Sequence, residues 1–145
     1  MAKLILKSNR PSNAKIAADV ALFSLKNLDN LPARENEFRK NYRACEAHRN
    51  EVLARHHGQV VECDATLADI GGPGKLNLLV AIRVNGVMID HLFVTNELIN
   101  DAGAKLHGLF KFKARVYGYK RAKGGRVGYS VMPTYMKLDP SRGQF

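Results

Sequence analysis

The residues most able to do chemistry lie in one stretch, Leu109–Tyr119, read on alternate positions. Phe110, Phe112, Ala114 and Val116 fall on one side of an extended chain, and Lys111, Lys113, Arg115, Tyr117 and Tyr119 on the other. The first set belongs in a core. The second, three cations followed by two aromatics, is what a strand needs to track phosphates and stack bases along a groove. Just beyond it, Lys120, Arg121, Lys123 and Arg126 crowd a hairpin with Gly124-Gly125 near its tip. Because alternation also supplies a complete apolar face, Tyr117 and Tyr119 are expected to be exposed.

Charge is distributed in the same sense. The 145 residues contain 23 Lys+Arg and 13 Asp+Glu, a formal +10. Residues 1–58 carry 11 basic and 6 acidic side chains, residues 59–108 carry 3 and 6, and residues 109–145 carry 9 and 1. A slightly acidic middle between two basic ends points to directed surfaces for a polyanion rather than a uniformly charged shell.

Signals for catalysis and metal binding are weak. Gly71-Gly72-Pro73-Gly74-Lys75 lacks the spacing of a phosphate loop and leads into a strand instead of a helix, so it reads as a turn. Asp90 and His91 with Glu62 and Asp64 contain the groups for acid–base work, but nothing in the sequence brings them together. Cys45 and His56 share a helix face, yet the rise between them is about 16 Å, too far for one ion. Only Cys45 with His48, or His56/His57 with Cys63, is near enough to share a metal. The expectation is no enzyme, no cofactor, no metal, and two free thiols.

Positioning this basic strand requires a domain. Helical spacing of Ile16, Val20 and Phe23 after Ser12-Asn13 predicts a first helix near 14–28. Pro32 then precedes a second helix expected as one element from about 33 to 56, closed by Gly58. Its narrow stripe of Phe38, Tyr42, Cys45 and Val52 or Leu53 would dock on the main domain or on a second copy of the chain. After Gly58 the period becomes alternating. Strands are predicted at 59–67, 76–84, 87–94, 109–119 and 126–132, the second and third joined by Asn85-Gly86, and a short helix is predicted between Thr95 and Gly103.

Three strands, a short helix and two strands follow one another in the chain order of the oligonucleotide/oligosaccharide-binding barrel, so residues 59–133 resemble an OB-fold. The strings Asp90-His91-Leu92-Phe93-Val94, Phe112-Lys113-Ala114-Arg115-Val116-Tyr117 and Gly128-Tyr129 are also loosely similar to small phage and mobile-element proteins of unassigned role. The sequence is therefore read as α+β: a helical extension (1–58), a five-stranded antiparallel OB-like β-barrel (59–133) and a C-terminal tail (134–145). Its expected function is binding of single-stranded DNA or RNA through Lys111, Lys113, Arg115, Tyr117, Tyr119, Lys120, Arg121, Lys123 and Arg126. The alternative is a mobile-element interaction protein that binds a host protein, and a homodimer through the 33–56 helix is allowed. The longest apolar run, Leu78–Ile82, is far short of the roughly 20 residues that cross a bilayer, and the start lacks a secretion signal, so a cytoplasmic location without a membrane partner is expected.

Overall fold

The computed structural model describes residues 9–24, 31–71, 75–121 and 125–145. Residues 25–28 at the end of the first expected helix, most of the glycine-rich turn before Lys75, and Lys123 with Gly124 lie outside the described residues.

Five strands form one antiparallel sheet: β1 (Val60–Gly71), β2 (Asn77–Val84), β3 (Val87–Val94), β4 (Leu109–Lys120) and β5 (Val127–Met132), in the order β3-β2-β1-β4-β5. The sheet curls, so that inward residues of all five strands share one core. Val61, Cys63 and Ala65 of β1 meet Leu79 and Ile82 of β2, Leu92 and Val94 of β3, Phe112, Ala114 and Val116 of β4, and Val131 of β5. The result is a half-barrel. Among the described residues β3 and β5 share no hydrogen-bonded ladder, and their seam is crossed by one side-chain bond in which Ser130 Oγ donates to the Phe93 carbonyl at 3.1 Å. The β2–β3 hairpin turns on Asn85 (φ +47°) and Gly86 (φ +81°), the doubly left-handed pair that a two-residue turn demands.

Four α-helices are present among the described residues, and no helix there is long and apolar enough to cross a membrane. Helix α1 (Asn13–Ser24) is capped by Ser12, whose hydroxyl accepts from the Lys15 amide at 3.2 Å. The element expected as one helix from 33 to 56 is two, α2 (Leu31–Ala44) and α3 (Glu46–Ala54), interrupted at Cys45. Backbone hydrogen bonds still run across the break, from Cys45 N to Asn41 O at 3.0 Å and from Arg49 N to Cys45 O at 2.9 Å. The two pieces serve different faces of the sheet. Phe38 of α2 packs with Leu78, Val80 and Phe93 on the outside of the curl, while Val52 and Leu53 of α3 enter the inner core. The apolar stripe is thus covered within the chain. Helix α4 (Asn96–Ala102) sits between β3 and β4 and adds Leu98 to the inner core.

Two irregularities decide what lies beneath the helices. Ala81 on β2 and Asp90 on β3 have positive φ (+50° and +75°), and the β2–β3 register shifts around Ile82, which pairs with Asp90. Alternation is thereby interrupted on both strands together. Ile89 and Leu92 both point inward, so the two residues between them, Asp90 and His91, turn to the helix-covered face.

The segment after β5 is more than a tail. Gly118 and Phe145 exchange two backbone bonds of 2.8 Å, and Lys120 N donates to Gly143 O at 3.1 Å. These residues extend the edge of β4 along which the start of β1 has already paired, through Gly58 N to Val116 O at 2.8 Å.

Candidate nucleic-acid interface

The outward face of β4 divides into two parts. Lys111 and Lys113 are exposed, as alternation requires, but lie directly opposite Asp64 and Glu62 on β1. Asp64 also pairs with Arg83 at 3.4 Å. This end of the strand is charge-balanced by its neighbour, an arrangement that favours strand pairing. Arg115 donates from Nη1 to the Gly58 carbonyl at 2.9 Å, which ties it to the approach of β1.

At the other end, Tyr117 and Tyr119 are half-buried, not an open platform. Their centroids are 6.2 Å apart and their planes tilted by 48°. They help line a cavity of about 450 Å³ on the outside of the β3–β5 seam, together with Phe93 of β3, Tyr42 of α2 and Ser130. Tyr42 and Phe93 pack at 4.9 Å with a 55° tilt. The Ser130 hydroxyl that bonds to Phe93 also lies against the Tyr117 phenol, so one polar group joins the two sides of the seam. Burial pushes the phenols of Tyr42 and Tyr117 up from their ordinary value. Gly128 makes room for Tyr119, its register partner: a Cβ there would lie 2.5 Å from Tyr119 Cζ.

Cations border this cavity. Arg121 lines it and holds Glu46, at the start of α3, through Nη2 to Oε1 at 2.6 Å. Arg142 and Gln144 line it from the C-terminal segment. Lys120 is exposed, with its backbone tied to Gly143. Arg126 is also exposed, yet it borders a different depression, beside Arg43 and Glu51 on the helical side. The structure therefore brings together Tyr117, Tyr119 and Arg121, leaves Lys111, Lys113 and Arg115 further along β4, and sends Arg126 elsewhere. Sequence reasoning missed Tyr42, Phe93, Arg142 and Gln144. The first two carried a signal, as an aromatic in a helical stripe and an aromatic in a strand, but one that reads as core.

Beneath α1 and α2 lies a second polar group, buried except for Arg10 at its edge. Asp90 and His91 are 0% exposed. The Asp90 carboxylate accepts from Arg10 Nε at 2.6 Å and Nη2 at 2.7 Å, and the Cys45 thiol donates to it at 3.6 Å. Among the described residues His91 finds no hydrogen-bond partner for either ring nitrogen; its Nε2 is 3.9 Å from Asp19, which also accepts from the Asn41 amide at 2.9 Å. Arg49, 2% exposed, donates to the His91 carbonyl at 3.2 Å and lies over the Tyr42 ring at 4.1 Å. Burial holds the His91 imidazole down at about 4, pushes the Cys45 thiol up to about 12 and raises the Asp19 carboxyl. Glu62 and Asp64 are on β1, separated from β3 by β2, so the four acid–base residues do not assemble. Cys63 is buried on the inner face and Cys45 beneath the outer one; among the described residues no three His, Cys, Asp or Glu side chains are grouped to hold a metal.

No family model matches this chain, and comparison with curated proteins and with solved structures finds no match for it.

Proposed function

We propose that this protein binds single-stranded nucleic acid on an OB-like half-barrel, through the aromatic cavity of the β3–β5 seam and the cations around it. The observation that carries the reading is the meeting of Tyr42, Phe93, Tyr117 and Tyr119 with Arg121 and Arg142 in one cavity, four of these six coming from residues 109–145, the most basic segment of the chain. Aromatic surface for bases beside guanidinium groups for phosphates is the recurring composition of a single-strand site. The OB-like assignment is supported by the central position of β1 between β2 and β4, by α4 between β3 and β4, and by the approach of β3 to β5. OB-fold proteins use the face of strands 2 and 3. Here helices α1 and α2 pack over that face, which leaves the seam, with Lys120 and Arg121 beside it, as the available surface.

The test is fluorescence anisotropy of a labelled 12-nucleotide strand, DNA and RNA, across a salt series. Affinity is expected to fall with salt, and joint replacement of Lys120, Arg121 and Arg142 by Ala to flatten the log–log slope by about 2, from about 0.7 per phosphate contact. The triple Lys111, Lys113 and Arg115 to Ala is expected to change it less, because carboxylates already face the two lysines. Absence of binding at low salt, or binding indifferent to salt, counts against the reading and in favour of a protein partner.

A further inference from the structure

We propose that the β3–β5 cavity takes in a single unstacked nucleobase from the bound strand, with the C-terminal segment as one side wall. The inference rests on the nucleic-acid reading and specifies the ligand: a strand that presents one free base at a time, not a stacked run.

Shape is the first argument. A volume of about 450 Å³ falls in the range of about 300–1,000 Å³ typical of small-ligand sites, and aromatic walls with a few convergent polar groups are the usual lining of such sites. Phe93 and Tyr42 stand on the β3 side, Tyr117 and Tyr119 on the β4 side, and Ser130 of β5 lies between them. A planar base entering from outside meets ring surface on both flanks.

The second argument is what the arrangement forbids. Successive bases could stack along β4 only if Tyr117 and Tyr119 offered coplanar, open rings, and they are tilted by 48° and half-buried. Residues 142–144 run beside the β4 edge and bound the rings on that flank, with Arg142 and Gln144 lining the cavity. They are fixed in place by the Gly143–Lys120 and Phe145–Gly118 backbone bonds and by Gln144 Oε1, which accepts from the Asp139 amide at 3.0 Å. With Tyr42 and Phe93 on one flank and residues 142–144 on the other, the rings lie in a recess that a base reaches by insertion.

The third argument is charge. Arg121 and Arg142 both line the cavity, and the Lys120–Gly143 pairing sets them side by side at one end of it, so the backbone leading to an inserted base passes two guanidinium groups, the group best matched to phosphate.

Anisotropy competition on the unaltered protein tests this with 12-residue abasic deoxyribose-phosphate strands carrying no thymine, one, two or twelve. The first thymine is expected to raise affinity about 5- to 150-fold over the bare backbone, the range expected for one base on aromatic side chains, and further thymines to add only in proportion to the registers available, about twofold for two and at most about twelvefold in all for twelve. In Tyr119→Leu the first-thymine gain should shrink while bare-backbone binding persists. An even gain per added base indicates an open stacking strip and overturns the proposal; so does equal binding of the bare and the twelve-thymine strands, which leaves the nucleic-acid reading standing. If no strand binds, that reading falls and the proposal falls with it.

Discussion

Two residues apart on β3, His91 and Phe93 face the same side of the sheet and meet opposite fates. His91 is sealed beneath Phe38, whose ring meets it edge-on at 5.0 Å, whereas Phe93 borders a cavity open to solvent. Tyr42 stands between them, 6.4 Å from the His91 ring and 4.9 Å from the Phe93 ring. On one side of Tyr42 polar groups are shut in where they can serve only the fold, and on the other aromatic groups are left partly uncovered. The contrast teaches where to look for function. Each unsatisfied buried polar group costs about 1–3 kcal/mol, so His91 is carried at an energetic cost, and its ring is closed to any ligand from solvent. The cavity's rings are half-covered, and their remaining surface is available to a ligand.

If that division is right, substitutions in the sealed layer should damage stability and those in the cavity should damage binding. The largest effect is expected for Asp90→Asn. Breaking a buried, doubly bonded pair typically costs about 3–5 kcal/mol, mostly by stranding the other charge, and because Arg10 is 24% exposed and also bonds Asn13 the loss here is expected at the lower end. Asparagine tolerates the positive φ at this position, so backbone strain does not confuse the outcome. Urea unfolding should give a markedly lower midpoint with an unchanged slope. A variant as stable as the parent would erase the distinction between the two regions.

The next effect is set by pH. The His91 imidazole is held at about 4 in the folded protein, against an ordinary value of 6.5. Between those two values the unfolded chain takes up a proton that the folded one refuses. Stability present above pH 6.5 is therefore lost as pH falls toward 4, by about 3 kcal/mol in all, and below 4 this residue removes nothing more. The groups around it are Asp19 from α1, Asn41 and Tyr42 from α2, Cys45, Arg49 from α3, Asp90 beside it and Arg10. Asp19, raised by burial, binds its proton more readily when folded and offsets part of the loss as pH enters the carboxylate range. Urea midpoints of His91→Phe should be flatter than the parent's between pH 6.5 and 4. An unchanged profile would assign the acid sensitivity to other groups.

Much of this architecture is legible in the sequence because it rests on local rules. Asn85-Gly86 could only be a tight turn, alternation bounded five strands to within a few residues, and Thr95 to Gly103 framed α4. The sealed layer is not legible, since it depends on Ala81 and Asp90 adopting positive φ together, which neither residue type advertises, and on Arg10 reaching a partner 80 positions away. The cavity is legible in part. Alternation assigned Tyr117 and Tyr119 to the outward face of β4 but could not say what covers that face, because α2 and residues 142–144 arrive from the two ends of the chain. For the same reason it put Lys111 and Lys113 on the outward face without revealing the carboxylates set opposite them by the β1–β4 register.

The smallest predicted effect sharpens the comparison most, because its sign is unusual. Glu46 holds Arg121 at 2.6 Å, and both side chains are about a third exposed or less (29% and 33%). A pair this close to solvent contributes about 0–1 kcal/mol, and the carboxylate gains a few tenths more from its place in the first turn of α3. Glu46→Gln should therefore cost little stability. For binding, the ion pair competes with a phosphate for the same guanidinium, and the carboxylate puts a negative charge beside the cavity. Glu46→Gln is expected to tighten single-strand binding about two- to fivefold at low salt, with the gain shrinking as salt screens the lost repulsion. Arg121→Ala should weaken binding. In the double variant the benefit of removing Glu46 should largely disappear, since the group it competed for is gone. A gain of full size without Arg121 would trace the effect to general charge alone, and weaker binding by Glu46→Gln would mean that Glu46 positions Arg121 for the ligand instead of competing with it.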